Sequence, residues 1–389
     1  MKNKILLFLI FTISFFSSVF LFGSFYYKYG ISIEQIIFLL SFPMTGLDDA
    51  VSKIIFVDTL IYIVIPSFIL SLFITFLPNI FSFLKNNSLI TKLANDIKNH
   101  NIALRISISI CFLIVSLNIL ENKFQVFNYL YSYFFKEYSN FYEQNYITPN
   151  VSKLNKPRNL IIIFAESMES TYSSKNIPSN ILMQNRGGDI IGNSISKEYS
   201  PFDELIPNLS RFASDWINFS NTDVVGGIIQ NPGSSVTIAG LISYLCGIPL
   251  NLPKGGVQSR KKTYLENVIC IGEVLSSYGY NQAAIQGADS IFSGHNSFFA
   301  KQNIKMLDVN YFKQNGFISK NYTKNWGMED AKVFAGAKNY LSSYKENIPF
   351  ALYISTLDTH FPNGYVDKDF CSDLEFGYSS AIKCSDRII

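Results

Sequence analysis

Charge is scarce in this chain. Asp, Glu, Lys and Arg make up 16% of its 389 residues, and the formal net charge is only +3. Such a chain offers no strongly basic surface to a phosphate backbone, so nucleic acid is not an expected partner. It has no long block of like charge and no collagen-like glycine period. It also has no internal repeat of about 20–50 residues, which sets aside solenoids and propellers. Histidine is rarer still, with His100, His295 and His360 making up the full set. A Gly-x-Ser-x-Gly elbow is missing as well. Pro232 to Val236 comes nearest and does not form one, which argues against a Ser-His-Asp hydrolase.

What the chain has instead is apolar surface. Hydrophobic residues reach 48% and aromatics 15%. The excess is concentrated at the N-terminus. Ile5 to Tyr27 carries no charge over 23 residues, Ile54 to Pro78 carries only Asp58, and Ile106 to Leu120 is 15 uncharged residues. A spanning helix needs about 20 apolar residues, so spans are expected over about 5–27, 54–77 and 105–121. The first run is too long for a signal peptide and lacks a small-residue cleavage site, so it reads as an anchor. Lys2 and Lys4 precede the first span. Lys85, Lys92, Lys98 and Arg105 lie between the second and third against one acid, Asp96. Positive-inside then puts everything after Leu120 outside the cytoplasm. The amphipathic stretch over 31–42 is expected to lie on the membrane surface.

Cysteine usage agrees with that topology. Cys111 falls in a span and is expected to be a free, buried thiol. Cys246, Cys270, Cys371 and Cys384 all fall outside, where disulfides persist. Four cysteines allow three pairings, of which sequence proximity favours Cys246–Cys270 and Cys371–Cys384.

The expected organisation is a membrane domain over 1–120, a juxtamembrane helix and linker over 121–157, and an exported domain over 158–389. Asn159–Ala165 reads as a buried parallel strand and Trp216–Phe219 as a weaker strand. Further strands are expected at Asn281–Gln286 and Phe350–Leu357, with helices at Gly272–Tyr278 and Ala331–Tyr344. Strands alternating with helices define an α/β fold whose chemistry gathers at the carboxyl ends of the strands.

Those ends are where the polar residues stand. Glu166 and Ser167 follow the first strand, Gly287 and Asp289 another, and Asp358, Thr359 and His360 the last. A carboxylate directly after a buried strand makes a good ligand for a hard metal ion. Between them, Asn231-Pro232-Gly233 breaks the chain. Ser234 or Ser235 is expected to N-cap a helix that stops at Gly247 and Pro249. A hydroxyl there sits at the positive end of a helix dipole, beside unpaired N–H groups that suit a phosphate. Carboxylate, helix-head hydroxyl and histidine together suit metal-assisted phosphoryl transfer.

NLIIIFAES, PGSSVTIAG followed by CGIPL, the GADSIF loop, NWGMED and DTHFPNG occur in this order. They resemble the phosphoglycerol transferase I family, membrane-anchored members of the alkaline-phosphatase/sulfatase superfamily related to lipoteichoic-acid synthases. The resemblance covers about residues 30–389. It implies an α-helical membrane anchor followed by an α/β sulfatase-like catalytic domain on the periplasmic side of a bacterial inner membrane. It implies transfer of phosphoglycerol from phosphatidylglycerol in the lipid bilayer to periplasmic glucans through a covalent phospho-enzyme. By the match, Glu166 is a metal ligand. The nucleophile falls on Ser234, also a ligand, with Thr237 as the fallback. Lys301 and His360 bind the phosphoglycerol group, and Trp326 lies near it. The metal is a divalent ion, manganese or magnesium. The two disulfide pairs favoured by proximity are also features of the family.

Two departures stand out. Ser replaces the family's usual Thr at 234. The Asp-His pair that completes the family's metal site has no counterpart, because Ser385-Asp386 is followed by Arg387. The expectation is therefore a C-terminally truncated catalytic domain with an incomplete metal site, inactive on its own. The alternatives are another lipid-headgroup phosphotransferase, or a non-catalytic membrane-anchored remnant. A formylglycine sulfatase is disfavoured because no Cys/Ser-x-Pro-x-Arg motif begins at Ser234.

Overall fold

The computed structural model describes residues 2–26, 53–83, 101–135, 144–150, 157–174, 204–220, 225–229, 231, 234, 236–250, 265, 268–344, 348–360 and 363–389. The chain divides into two compact units. The first is helical. Helix α1 (Lys2–Tyr26) is followed by two π-helical turns (Ile54–Asp58 and Leu60–Val64) that run into α2 (Ile65–Phe83). Helix α3 (Asn101–Phe124) and the short α4 (Val126–Phe134) complete it. Three windows, Ile5–Ser24, Phe56–Phe76 and Ile106–Phe124, are long and apolar enough to cross a membrane. At 1.5 Å per residue each is about as long as the hydrocarbon core is thick.

Small residues let these helices approach. Ser14 of α1 and Ser109 of α3 share a hydrogen bond of 3.1 Å. Ser17, Ser18 and Ser24 satisfy their hydroxyls on carbonyls four residues back in α1. Phe8, Phe56, Phe68 and Ile69 face outward, where lipid would cover them. Cys111 is a free thiol but not a buried one, because it lies on the outward face of α3 rather than between helices. The surface stretch expected over 31–42, and His100, lie outside the described residues.

The second unit is built on a parallel sheet of four strands, β1 (Leu160–Phe164), β2 (Asn281–Gln286), β3 (Lys305–Leu307) and β4 (Phe350–Ser355), in the spatial order β1-β4-β2-β3. Ile162 pairs with Tyr353, Ile285 with Ile354 and Ala284 with Met306. Because every pair is parallel, the carboxyl ends of all four strands lie along one edge.

Helices cover both faces. Helix α5 (Pro207–Asp215) starts with proline at its first turn, where a missing N–H costs nothing. Ile238, Leu241, Ile242 and Leu245 of α6 (Thr237–Cys246) pack on one face with Phe298 and Phe299 of α8 (His295–Lys301) and with α7 (Ile271–Ser277). Phe312 of α9 (Val309–Gln314) and Val333 and Ala337 of α10 (Asp330–Ser342) pack on the other with Ile285, Leu352 and Ile354. Helix α11 (Tyr378–Ile388) packs through Ala381 and Cys384 against Val366 and Cys371. Disulfides join Cys246 to Cys270 and Cys371 to Cys384.

Three local expectations are corrected. The first strand is not buried on both sides. β1 is an edge strand, with Ile161 50% and Ile163 38% exposed, because its outward face has no covering element among the described residues. Trp216–Phe219 is not a strand, since these residues join no ladder among the described residues. Trp216 ends α5, and Trp216, Ile217 and Phe219 stand out from the surface. Ser234 does not cap α6. The N-cap is Val236, and the Ser234 hydroxyl turns back to donate to the Asn231 carbonyl at 2.6 Å. Ser235 lies outside the described residues.

Candidate active site

The strand ends are tied together by threonines. The Glu166 backbone N–H donates to Thr356 Oγ1 at 2.8 Å, and the Thr356 N–H donates to the Phe164 carbonyl at 3.0 Å. The Thr359 hydroxyl donates to the Glu166 carbonyl. These bonds extend the β1–β4 pairing past the last ladder residues and hold Glu166 where the chain leaves the sheet. Ser167 next to it has φ of 52°. That left-handed conformation turns the chain sharply after the carboxylate.

Helix α6 brings its first residue to this point. Thr237 Oγ1 donates to Glu166 Oε2 at 3.2 Å, and Ser167 Oγ donates to Glu166 Oε1 at 3.1 Å. The carboxylate is thus held at both oxygens, against the head of a helix whose first N–H groups are free of intrahelical partners. Ser234 lies one short turn upstream and is 7% exposed.

The aromatic side of the site is His360 and Trp326, whose ring centroids are 4.5 Å apart, with Phe292 6.1 Å beyond Trp326. His360 follows Thr359 directly, so the residue that grips Glu166 also fixes the start of the histidine turn. The Gly364 N–H closes that turn on the His360 carbonyl at 3.1 Å. Pro362 lies outside the described residues.

Beneath the two loops is a buried pair of acids. The Asp358 carboxylate accepts from the Asp330 N–H at 3.0 Å and from Asn325 Nδ2 at 3.1 Å. The Asp330 carboxylate accepts in turn from the N–H groups of Leu357 at 2.6 Å and Asp358 at 3.2 Å. Each acid thus binds the backbone of the other's loop, and both are almost fully buried. Burial, with the Glu166 charge adding, pushes the Asp330 carboxyl up to about 7 despite those backbone donors. Asp358 is pushed well up by burial and by the Asp330 charge. Asp358 is therefore an internal acceptor and not an open ligand for metal.

Lys301 sits elsewhere. Its ammonium pairs with Glu273 at 2.9 Å and binds the Val268 carbonyl. Glu273 also caps α7 at Cys270, the disulfide partner of Cys246. Cys246 is the last residue of α6 and Thr237 the first, about 14 Å apart along the helix axis. Lys301 thus braces the far end of that helix. A cleft of about 310 Å³ lined by Tyr146, Ile147, Cys246 and Gly247 lies at this same far end. Lys301→Met should lower the unfolding free energy by about 1–3 kcal/mol in a denaturant titration. A rise in KM with stability unchanged would instead mean that it holds substrate.

The remaining polar residues serve the fold. His295 is buried and bonded through Nδ1 to Gln286 at 2.7 Å, and burial pushes it down to about 4, so its ring is neutral. Asp289 binds the Ile291 N–H in its own turn at 2.9 Å. Asp386, next to Ser385 on α11, accepts from the N–H groups of Asn208 and Leu209 at 2.9 Å each, capping α5 from outside.

A carboxylate beside a hydroxyl at a strand end suits a hard metal ion. Glu166 and Thr237 supply two oxygen donors. No group of three His, Cys, Asp or Glu converges among the described residues. Protein metal sites commonly need three or four protein ligands. The residues in place therefore do not fit a complete metal centre.

The residue pattern of the Sulfatase family matches residues 158–381, and the chain belongs to that family. It is thus a member of the alkaline-phosphatase/sulfatase superfamily. Among curated proteins it is similar to phosphoglycerol transferase I of Xanthomonas campestris pv. campestris (strain B100), at 30% identity over 246 residues, covering 61% of this chain and 31% of the relative. Phosphoglycerol transferase I of Escherichia coli O6:K15:H31 (strain 536 / UPEC) is 26% identical over 240 residues, covering 59% and 27%. The chain spans about a third of the length of the curated relatives it matches. Among solved structures, the lipoteichoic acid synthase LtaP from Listeria monocytogenes superposes with a TM-score of 0.43 at 17% identity, covering 59% of this chain and 50% of that one.

Proposed function

We propose that this chain carries the nucleophile half of a phosphotransferase that moves phosphoglycerol from phosphatidylglycerol to a glucan. The observation that carries the reading is the hydroxyl at the head of α6 bonded to a carboxylate at the carboxyl edge of the sheet, Thr237 Oγ1 to Glu166 Oε2. The relation to phosphoglycerol transferase I supports the donor and acceptor classes. The three apolar helices support a place in the bacterial inner membrane, with the α/β unit facing the periplasm.

In the reaction, the helix-head hydroxyl oxygen attacks the phosphorus of the lipid headgroup. The new O–P bond forms as the bond to the diacylglycerol oxygen breaks. The hydroxyl proton passes to a base, and the departing diacylglycerol oxygen takes up a proton. A glucan hydroxyl then attacks the phospho-enzyme and restores the side chain. The first N–H groups of α6 face the developing negative charge on the phosphoryl oxygens. The paired rings of Trp326 and His360 hold the glycerol end. Glu166 and Ser234 are this chain's proposed contribution to a manganese or magnesium site, which needs further ligands to be complete.

Two hydroxyls compete for the nucleophile role. The motif resemblance to phosphoglycerol transferase I favours Ser234. The hydrogen bond to Glu166 favours Thr237, whose proton already points at a base. Incubating the full chain in membranes with phosphatidylglycerol labelled in its headgroup, followed by peptide mapping, separates them. The label should be retained on 231–246. Ser234→Ala abolishes it under the first assignment and Thr237→Val under the second. No covalent label on this segment, with or without added divalent cation, would sink the reading.

A further inference from the structure

The α/β unit carries an apolar ribbon that the site does not use. Trp216 is 75% exposed, Ile217 86%, Phe219 87%, Ile228 83% and Ile229 94%. Phe212, one turn before Trp216 on α5, adds to it. The two segments lie side by side. The Gly226 N–H donates to Asn218 Oδ1 at 2.9 Å, and a Cβ added at Gly226 would meet the Phe219 carbonyl at 2.2 Å. The backbones are therefore in contact at Gly226 and Phe219, and two runs of exposed large apolar side chains leave from neighbouring points of the chain. Exposed apolar side chains gathered in this way mark an interaction surface.

We propose that this ribbon docks on the surface of the lipid bilayer. The same chain holds three helices long and apolar enough to cross a membrane, so the α/β unit is tethered beside a bilayer at high effective concentration. The side chains have the right chemistry for the headgroup–acyl boundary. An indole favours that depth, and isoleucine and phenylalanine favour the layer just beneath it. The ribbon also leads into the site, since Ile229 lies two residues before Asn231, which holds Ser234 at the approach to α6. The docking rests on the helices and the exposed side chains. Its use, presenting the head of α6 to a lipid headgroup without lifting the lipid from the membrane, rests on the function proposed above.

The test uses the full chain reconstituted in vesicles of phosphatidylglycerol and phosphatidylcholine. Trp216 and Trp326 are the only two tryptophans. In Trp326→Phe, Trp216 emission should shift to the blue and fall by about half or more when the acyl chains are brominated, because the docked ring lies within the upper acyl region. The native chain provides the same reading by difference, as Trp216→Phe should remove the bromine-sensitive part of its emission. Equal emission in brominated and plain vesicles overturns the docking, and a blue-shifted but unquenched Trp216 means that protein covers the ribbon. Replacing Trp216 and Ile217 by serine should slow transfer from vesicle lipid roughly tenfold while sparing a short-chain, dispersed donor. Quenching with no such difference would overturn the delivery role alone. If no preparation takes up the headgroup label, the functional reading fails while quenching still decides the docking.

Discussion

Gly287→Ala should lower the melting temperature of the α/β unit by about 6–12 °C, from a loss of about 3 kcal/mol. A Cβ at this position would lie 1.9 Å from the Met328 carbonyl oxygen and 3.0 Å from its carbon. Both neighbours are backbone, so no side-chain rotation relieves the clash. The contact is close because the Met328 N–H donates to the Gly287 carbonyl at 3.0 Å, joining the end of β2 to the loop that carries Trp326. Gly327 in that loop is held from the other side, with φ of +151° and the Gly287 oxygen 2.4 Å from where its Cβ would be. The substitution should therefore also move Trp326 away from His360, which near-ultraviolet circular dichroism would register. Gly279→Ala provides the control. It has φ of +74° with nothing within 4 Å of an added Cβ, so it should cost only about 1 kcal/mol of backbone strain. Equal effects of the two substitutions would mean that the β2–Trp326 loop junction is not tightly packed.

Asp330 should make the α/β unit less stable as pH rises from about 4 to about 7. Its folded carboxyl is pushed up to about 7 by burial, from an ordinary 3.8. Across that interval the folded state keeps a proton that the unfolded chain releases, so each step up in pH favours unfolding. The full interval is worth about 4 kcal/mol, because one pH unit corresponds to about 1.4 kcal/mol. Asp358 is raised in the same direction and adds to the slope. Asp330→Asn should flatten the difference between denaturant titrations at pH 5 and pH 8, at the cost of one backbone acceptor for Leu357 or Asp358. An unchanged slope in this variant would mean that the two acids are ionised in the folded state. The chemical reason for such a pair is geometric. Each acid holds the other's loop, and these are the loops that carry Trp326 and His360.

The strand over Phe350–Ser355 was legible as a nearly continuous apolar run, and Asn281–Gln286 only through its Ala-Ala-Ile centre after the Gly279 stop, since its amides Gln282 and Gln286 are buried as well. β3 has three residues and α9 six, too few to express a period, and neither was anticipated; nor was the seven-residue α8. Helix α5 left a signal that could have been used, the proline at its first turn before Asn208. Trp216–Phe219 had the composition of a strand, but a strand also needs a partner, and composition does not say whether one exists.

Within the site, local pattern is enough to say which residues stand at the strand ends, because a run of buried apolar residues must stop where the chain meets water. Glu166, Asp358 and His360 were all visible in that way. What each of them touches follows from the packing of distant segments. Glu166 meets Thr356, 190 positions away, because β1 and β4 run parallel in one register, and it meets Thr237 because α6 packs its apolar face on the same sheet. Asp358, which looks like a metal ligand from its position, is spent on the Asp330 loop. Lys301 is spent on Glu273 at the far end of α6. Local pattern records the burial of a segment, whereas the partner of a polar side chain depends on which distant segment the packing brings within about 3 Å of it.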